Sequence, residues 1–236
     1  MKRLLIAILA AGSLLLPAGC AAPSPPSPAP SSETVPTAES QPLPSGLPVI
    51  DRLLPLEDDT YSRSRQGAEV SHIMIHFMSN VVNRPEDPYR MEDAEANFRE
   101  YEVSSHYVID REGKIVRFVP EERAAYHAGI GSLPGFPELD DNLNDHSVGI
   151  ELLAMGSREE MAGYITGEAY DSLAPGIPGY TEAQYASLNA LIREIAARHP
   201  GIRLDRQHVV GHDEYAPGRK QDPGELFDWS RLGLTA

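Results

Sequence analysis

Between Ala21 and Pro48 the chain reads AAPSPPSPAPSSETVPTAESQPLPSGLP. Too few large apolar side chains occur there to offset the entropy of ordering the backbone. Any packed core must come from the residues after Pro48. Residues 49–236 are therefore expected to form one folded domain, and residues 21–48 a disordered, semi-extended tether. Cys20 is the only cysteine, so no intramolecular disulfide can contribute.

Within 49–236 two periodicities mix. Residues 70–77 (VSHIMIHF) alternate, with Ile73, Ile75 and Phe77 opposite His72, Met74 and His76, which predicts a strand. Residues 91–101 are compatible with a helix. Residues 105–109 and 114–119 flank Asp110-Arg111-Glu112-Gly113, predicting a β-hairpin with its turn glycine supplied. Residues 146–153 (HSVGIELL) predict a buried strand. Thr181 opens the clearest helix, with Leu188, Leu191, Ile192 and Ile195 at helical spacing and His199-Pro200-Gly201 as its stop. Residues 208–210 predict a short strand and 211–224 a long loop. The class is α/β or α+β, not all-β.

The start of the chain has a different character. Lys2 and Arg3 precede an apolar stretch, Leu4 to Leu16, of the length of a secretory signal and short of the roughly 20 residues a bilayer span needs. Ala18 and Gly19 then lead to Cys20, which resembles a bacterial lipoprotein signal with Cys20 as the lipidated residue. Pro17 departs from the aliphatic residue usual at that place, and an ordinary secretory signal is the alternative. Export is expected either way, with a lipid anchor in the outer face of the plasma membrane; an outer-membrane or secreted location is the alternative. The net charge of −15, from 35 acidic and 20 basic residues, repels a polyanion and excludes nucleic acid as a natural partner.

Eight histidines are present, and a single histidine is ordinarily a surface or hydrogen-bonded residue. His208 and His212 are spaced like zinc ligands one helical turn apart. No glutamate follows His208, however, and Val209-Val210-Gly211 favours a strand and turn, so the HExxH pattern is absent. Asp222 in Asp-Pro-Gly reads equally as a turn former. Glu151, inside an apolar strand, is either solvent-facing at a strand end or a carboxylate kept for chemistry, since burying one without a partner is costly.

Four segments in order change that balance: VSHIMIHF, SSHYVIDREGKIVRFVPEERAAYHAG, NDHSVGIELL and HVVGHDEYAPGRKQDPGELFDW. Together, from about Ser71 to Trp229, they resemble the zinc amidases of the N-acetylmuramoyl-L-alanine amidase type 2 family, relatives of phage lysozyme-amidases and peptidoglycan recognition proteins. The resemblance implies a single domain with a mixed central sheet flanked by helices and zinc at one end of a groove. It implies one catalytic Zn2+ held by His76, His212 and Asp222, a set that leaves a fourth position open. Glu151 matches the acidic residue of the family's SIGIE motif and would act as general base. Lys220 matches the site lysine and would stabilise an oxyanion.

Among the remaining matches, Tyr107 and His127 are candidate sugar or peptide contacts. Asn144 and Ser147 match the polar lead-in to the SIGIE strand, and Arg219 is a candidate for binding a peptide carboxylate. For His106, contact and a hydrogen-bonded structural role stand side by side. Met78-Ser79-Asn80 replaces a threonine-containing turn common after the first ligand. The expected activity is hydrolysis of the amide between N-acetylmuramic acid and L-alanine in peptidoglycan or muropeptides, by a monomer. The alternatives are a non-catalytic peptidoglycan-binding receptor of the same fold, a peptidase acting on the stem peptide, and a wall-tethering lipoprotein.

Overall fold

A computed structural model of the chain describes residues 40–42 and 46–235. The signal segment with Cys20, and most of the expected tether, lie outside the described residues. The described elements in chain order are β1 (Ser40–Pro42), β2 (Pro48–Asp51), β3 (Ser62–Ser64), β4 (His72–Met78), α1 (Met91–Tyr101), β5 (Tyr107–Ile109), β6 (Ile115–Arg117) and β7 (Arg123–Ala125). They continue with α2 (Leu143–His146), β8 (Ser147–Leu153), α3 (Gly167–Asp171), α4 (Glu182–Arg198), β9 (Val209–Gly211) and α5 (His212–Tyr215). Among these residues a seven-stranded sheet has the order β1-β2-β6-β5-β8-β4-β9, and β3 pairs with β7 separately. The fold is mixed α/β, a central and mostly parallel sheet with helices packed on it.

The strongest sequence signals became the structural frame. Thr181 caps α4 through a reciprocal capping box with Gln184, and Leu188, Leu191, Ile192 and Ile195 are buried. That stripe packs on Ile73 and Ile75 of β4 and Val148, Ile150 and Leu152 of β8. Each such side chain contributes about 1.5–3 kcal/mol when fully buried. Phe98 of α1 meets Phe118 edge to face at 5.4 Å, in a second cluster with Val108 and Val116. Gly113 takes φ +82° in the β5–β6 turn, where a side chain would be strained.

β1 falls inside the stretch expected to be a tether. It pairs antiparallel with β2, Gln41 opposite Val49, so the sheet begins before the apolar sequence does. Proline is tolerated there because β1 is an edge strand. No helix among the described residues is long and apolar enough to cross a membrane.

The parallel core places the chemistry. β8 lies beside β4 with His72 opposite Ser147 and His76 opposite Glu151, and β9 lies on the other edge of β4 with Ile75 opposite Gly211. Alternation sends Ile73, Ile75, Val148, Ile150 and Leu152 into the cluster with α4, leaving His76 and Glu151 together on the opposite face.

Candidate functional site

Three parallel strands bring their carboxyl-terminal portions to one end of the sheet, the usual place for a ligand crevice in such folds. β4 supplies His76, β8 supplies Glu151, and β9 ends at Gly211, directly before His212. The expected loop after β9 instead starts with the single-turn α5. Glu214 closes that turn by accepting the Gly211 N–H at 2.7 Å, and Arg206 holds the Glu214 carboxylate. Asp222 reaches the same point from the loop beyond.

His76, His212 and Asp222 present ligand atoms within 4.8 Å of one another, a group able to hold a metal ion. Asp222 Oδ2 lies 2.7 Å from His76 Nδ1 and 3.0 Å from His212 Nδ1. The opposite ring nitrogens are occupied: His212 Nε2 is 2.9 Å from the Ala128 carbonyl and His76 Nε2 is 3.0 Å from His127 Nδ1. A carbonyl only accepts, so His212 Nε2 carries the hydrogen. In the neutral ring Nδ1 is then a lone pair, aimed at an anionic oxygen. That arrangement suits a cation between them, and such outward hydrogen bonds are what orient imidazole ligands.

Electrostatics agree with this. Burial pulls His76 down to about 4, so the ring is neutral near pH 7. For Asp222 burial pushes upward, but the hydrogen bonds and charges of His212 and His76 outweigh it and hold the carboxyl well below the usual range. Glu151, 9 % exposed, is pushed well up, first by burial and then by the Asp222 charge, with Lys220 opposing. The Lys220 ammonium has no hydrogen-bond or ion-pair partner among the described residues. All five residues line one cavity of about 580 Å³, walled also by Val82, Tyr126, Met161 and Tyr164.

The expected contacts divide. His127 reaches the cavity, its ring lying across Gly149, where an added Cβ would come within 2.6 Å of the imidazole. It braces His76, and Ser147 Oγ lies 3.2 Å from its other nitrogen. Arg219 lines the cavity, but its guanidinium donates to the Ala128 and Ile130 carbonyls.

Two expectations are corrected. Tyr107 is fully buried and donates to Glu121 Oε1 at 2.6 Å. It stands opposite Ile150, one residue out of step with Glu151, and so joins the α4 side of the sheet. Asn144 holds backbone, its Oδ1 accepting the N–H groups of His127 and Ala128 at 3.0 and 2.9 Å. It thereby sets the carbonyl that orients His212. His106 is structural, accepting the Gly149 N–H at Nδ1 while fully buried.

Arg65 was not singled out in the sequence. Its buried guanidinium donates to the carbonyls of Glu121, Asn144, Asp145 and Ser147, fastening the approach to β8. Only its place inside a polar loop marks it in the sequence, which is no signal.

Comparison with known proteins gives the family. Residues 66–225 match the family described as N-acetylmuramoyl-L-alanine amidase, Amidase_2. The chain is 38% identical over 130 residues to the 1,6-anhydro-N-acetylmuramyl-L-alanine amidase AmpD of Citrobacter freundii, covering 55% of each. It is 35% identical over 176 residues to the N-acetylmuramoyl-L-alanine amidase AmiD of Escherichia coli strain K12, covering 72% of this chain and 56% of that one. The chain thus spans about half the length of the curated relatives it matches. The solved complex of AmiD from Escherichia coli with the substrate anhydro-N-acetylmuramic acid-L-Ala-D-gamma-Glu-L-Lys is 30% identical, with TM-score 0.53, covering 74% of this chain and 62% of that chain. This chain belongs to the N-acetylmuramoyl-L-alanine amidase family Amidase_2.

Proposed function

We propose that this chain is a zinc-dependent N-acetylmuramoyl-L-alanine amidase that hydrolyses the amide between N-acetylmuramic acid and L-alanine in peptidoglycan or muropeptides. The observation that carries it is the convergence of His76, His212 and Asp222 beside Glu151 in one cavity. Two imidazoles and a carboxylate are a donor set suited to a catalytic zinc. Zinc held there would polarise the scissile carbonyl and lower the pKa of water to about 7.

The chain's own residues do the rest. Glu151, with no hydrogen-bond partner among the described residues and a raised pKa, takes a proton from the attacking water and delivers it to the departing L-alanine amine. Lys220 holds the charge developing on the attacked carbonyl oxygen. His127 and the Ala128 carbonyl keep the two ligand rings in place. The muropeptide named in the AmiD complex supports the substrate class, and makes anhydro-muropeptides the first to test.

We also propose export as a monomer through the segment ending at Cys20, with a lipid on that residue and the stretch before the β1 strand at Ser40 giving reach to the wall. Metabolic labelling with a fatty-acid analogue tests the anchor; label retained after Cys20→Ala contradicts it.

The activity test uses the purified chain and an anhydro-muramyl tripeptide, with and without a chelator. The expected product is a peptide with a newly freed L-alanine amino terminus, seen by mass spectrometry and lost on chelation. Cleavage within the stem peptide, or none, contradicts the assignment.

A further inference from the structure

Of the three residues facing the candidate metal position, two are held by regular structure. His76 stands in β4, its ring braced by His127, and His212 opens α5, its ring tied to Ala128. Asp222 sits in a loop, and its placement depends on what grips the turn Asp222-Pro223-Gly224-Glu225. The Asp222 carbonyl accepts the Asp213 N–H at 2.8 Å, and the Pro223 carbonyl accepts the Tyr180 hydroxyl at 2.6 Å. Among the described residues, the side chain that holds the far side of the turn is Glu160.

Glu160 comes from the segment after β8, the strand that carries Glu151. Its Oε1 accepts the Glu225 N–H at 2.8 Å and its Oε2 accepts the Ser157 N–H at 2.7 Å. The carboxylate therefore bridges two backbone segments that have no chain continuity. Two glycines make room for it. A Cβ on Gly156 would lie 2.4 Å from Oε2, and a Cβ on Gly224 would lie 2.4 Å from Oε1. Gly224 also takes φ +73°. The slot accepts one flat, doubly accepting group, and a carboxylate is the side chain that offers it.

We propose that Glu160 is a positioning residue for the metal centre, locking the Asp222 turn to the segment that follows the Glu151 strand so that ligand and proton carrier keep a fixed separation. The proposal rests on the zinc amidase assignment above. Glu160→Gln keeps the shape but turns an NH2 group toward one of the two N–H donors, so one bridge is lost. Glu160→Ala loses both. The neighbouring Glu159 is exposed and serves as a control.

The test is zinc affinity of the full chain, by competition with a chromophoric chelator, alongside melting of the metal-free forms. Glu160→Gln is expected to weaken zinc binding roughly 10–100-fold, the usual effect of losing a group that supports a ligand, while Glu159→Gln leaves it unchanged. Kinetics should show kcat falling and KM nearly constant. In the cobalt-substituted protein the visible spectrum of Glu160→Gln should shift. Unaltered zinc affinity with a lowered melting temperature would overturn the proposal, leaving Glu160 a structural residue only. A parent chain that binds no zinc would instead overturn the amidase assignment. Coupling is reciprocal, so a measurement on the unsubstituted chain decides the matter even if both variants misfold. Zinc should slow hydrogen exchange at the Ser157 amide, and exchange there indifferent to zinc contradicts the bridge.

Discussion

Glu151 stands directly across the β4–β8 ladder from His76, the two being partners in the parallel register. A one-residue slip would turn Glu151 into the α4 core and leave His76 facing a leucine or an isoleucine. The pairing fixes the proposed proton carrier beside a candidate metal ligand through backbone hydrogen bonds alone.

Glu151→Gln should therefore bind zinc normally and lose turnover by about 10²–10⁴-fold, the range for removing a general acid–base group. The variant's zinc content and its rate on a muropeptide check this. Undiminished turnover would remove Glu151 from the mechanism.

Lys220→Met tests the oxyanion role separately. The side chain lines the cavity without a partner among the described residues, so no structural contact is broken. A fall in kcat of about 10²–10³-fold is expected, with KM little changed. A rise in KM at constant kcat would make Lys220 a binding residue.

Gly149→Ala probes the histidine support. The added methyl would meet the His127 ring at 2.6 Å, displacing the group that braces His76. Overpacking of this kind costs about 1–3 kcal/mol of stability. Zinc affinity should fall by roughly tenfold or more. Calorimetry and metal titration of one preparation read both effects.

Acid stability depends on a histidine remote from the site. His72 is 1 % exposed and is pulled down to about 4, by burial first and then by the charge of His208. Folded chain keeps the ring neutral while unfolded chain protonates it near pH 6.5, so stability is full above pH 6.5 and is lost as pH falls toward 4. This one group accounts for about 3 kcal/mol or less. Metal-free melting temperatures should drop across that window, and His72→Gln should flatten the slope. An unchanged slope contradicts the assignment.

The fold was legible where local chemistry was strong. Thr181 and the spacing of Leu188, Leu191, Ile192 and Ile195 announce α4, Asp110 to Gly113 announce the hairpin, and the apolar run 146–153 announces β8. Other short strands carry no such signal: β3 and β7 have three residues each, and their place comes from pairing across about sixty residues that no local pattern encodes.

In the site, His76, His212, Asp222, Glu151 and Lys220 stood out through the order of their segments, and the structure brings them to one cavity. Tyr107 misled because a three-residue strand does not reveal which face each residue takes; its partner Ile150, not Glu151, decides. Asn144, Arg65 and Glu160 act on backbone groups distant in sequence, so only the folded chain exposes their roles.

Metal analysis of the purified full chain and of His212→Ala tests the central claim most directly. One zinc per chain is expected in the parent and none in the variant, with X-ray absorption of the parent showing two imidazole nitrogens and carboxylate oxygen around the metal. A parent without stoichiometric zinc, or a His212→Ala chain that keeps it, would contradict the account.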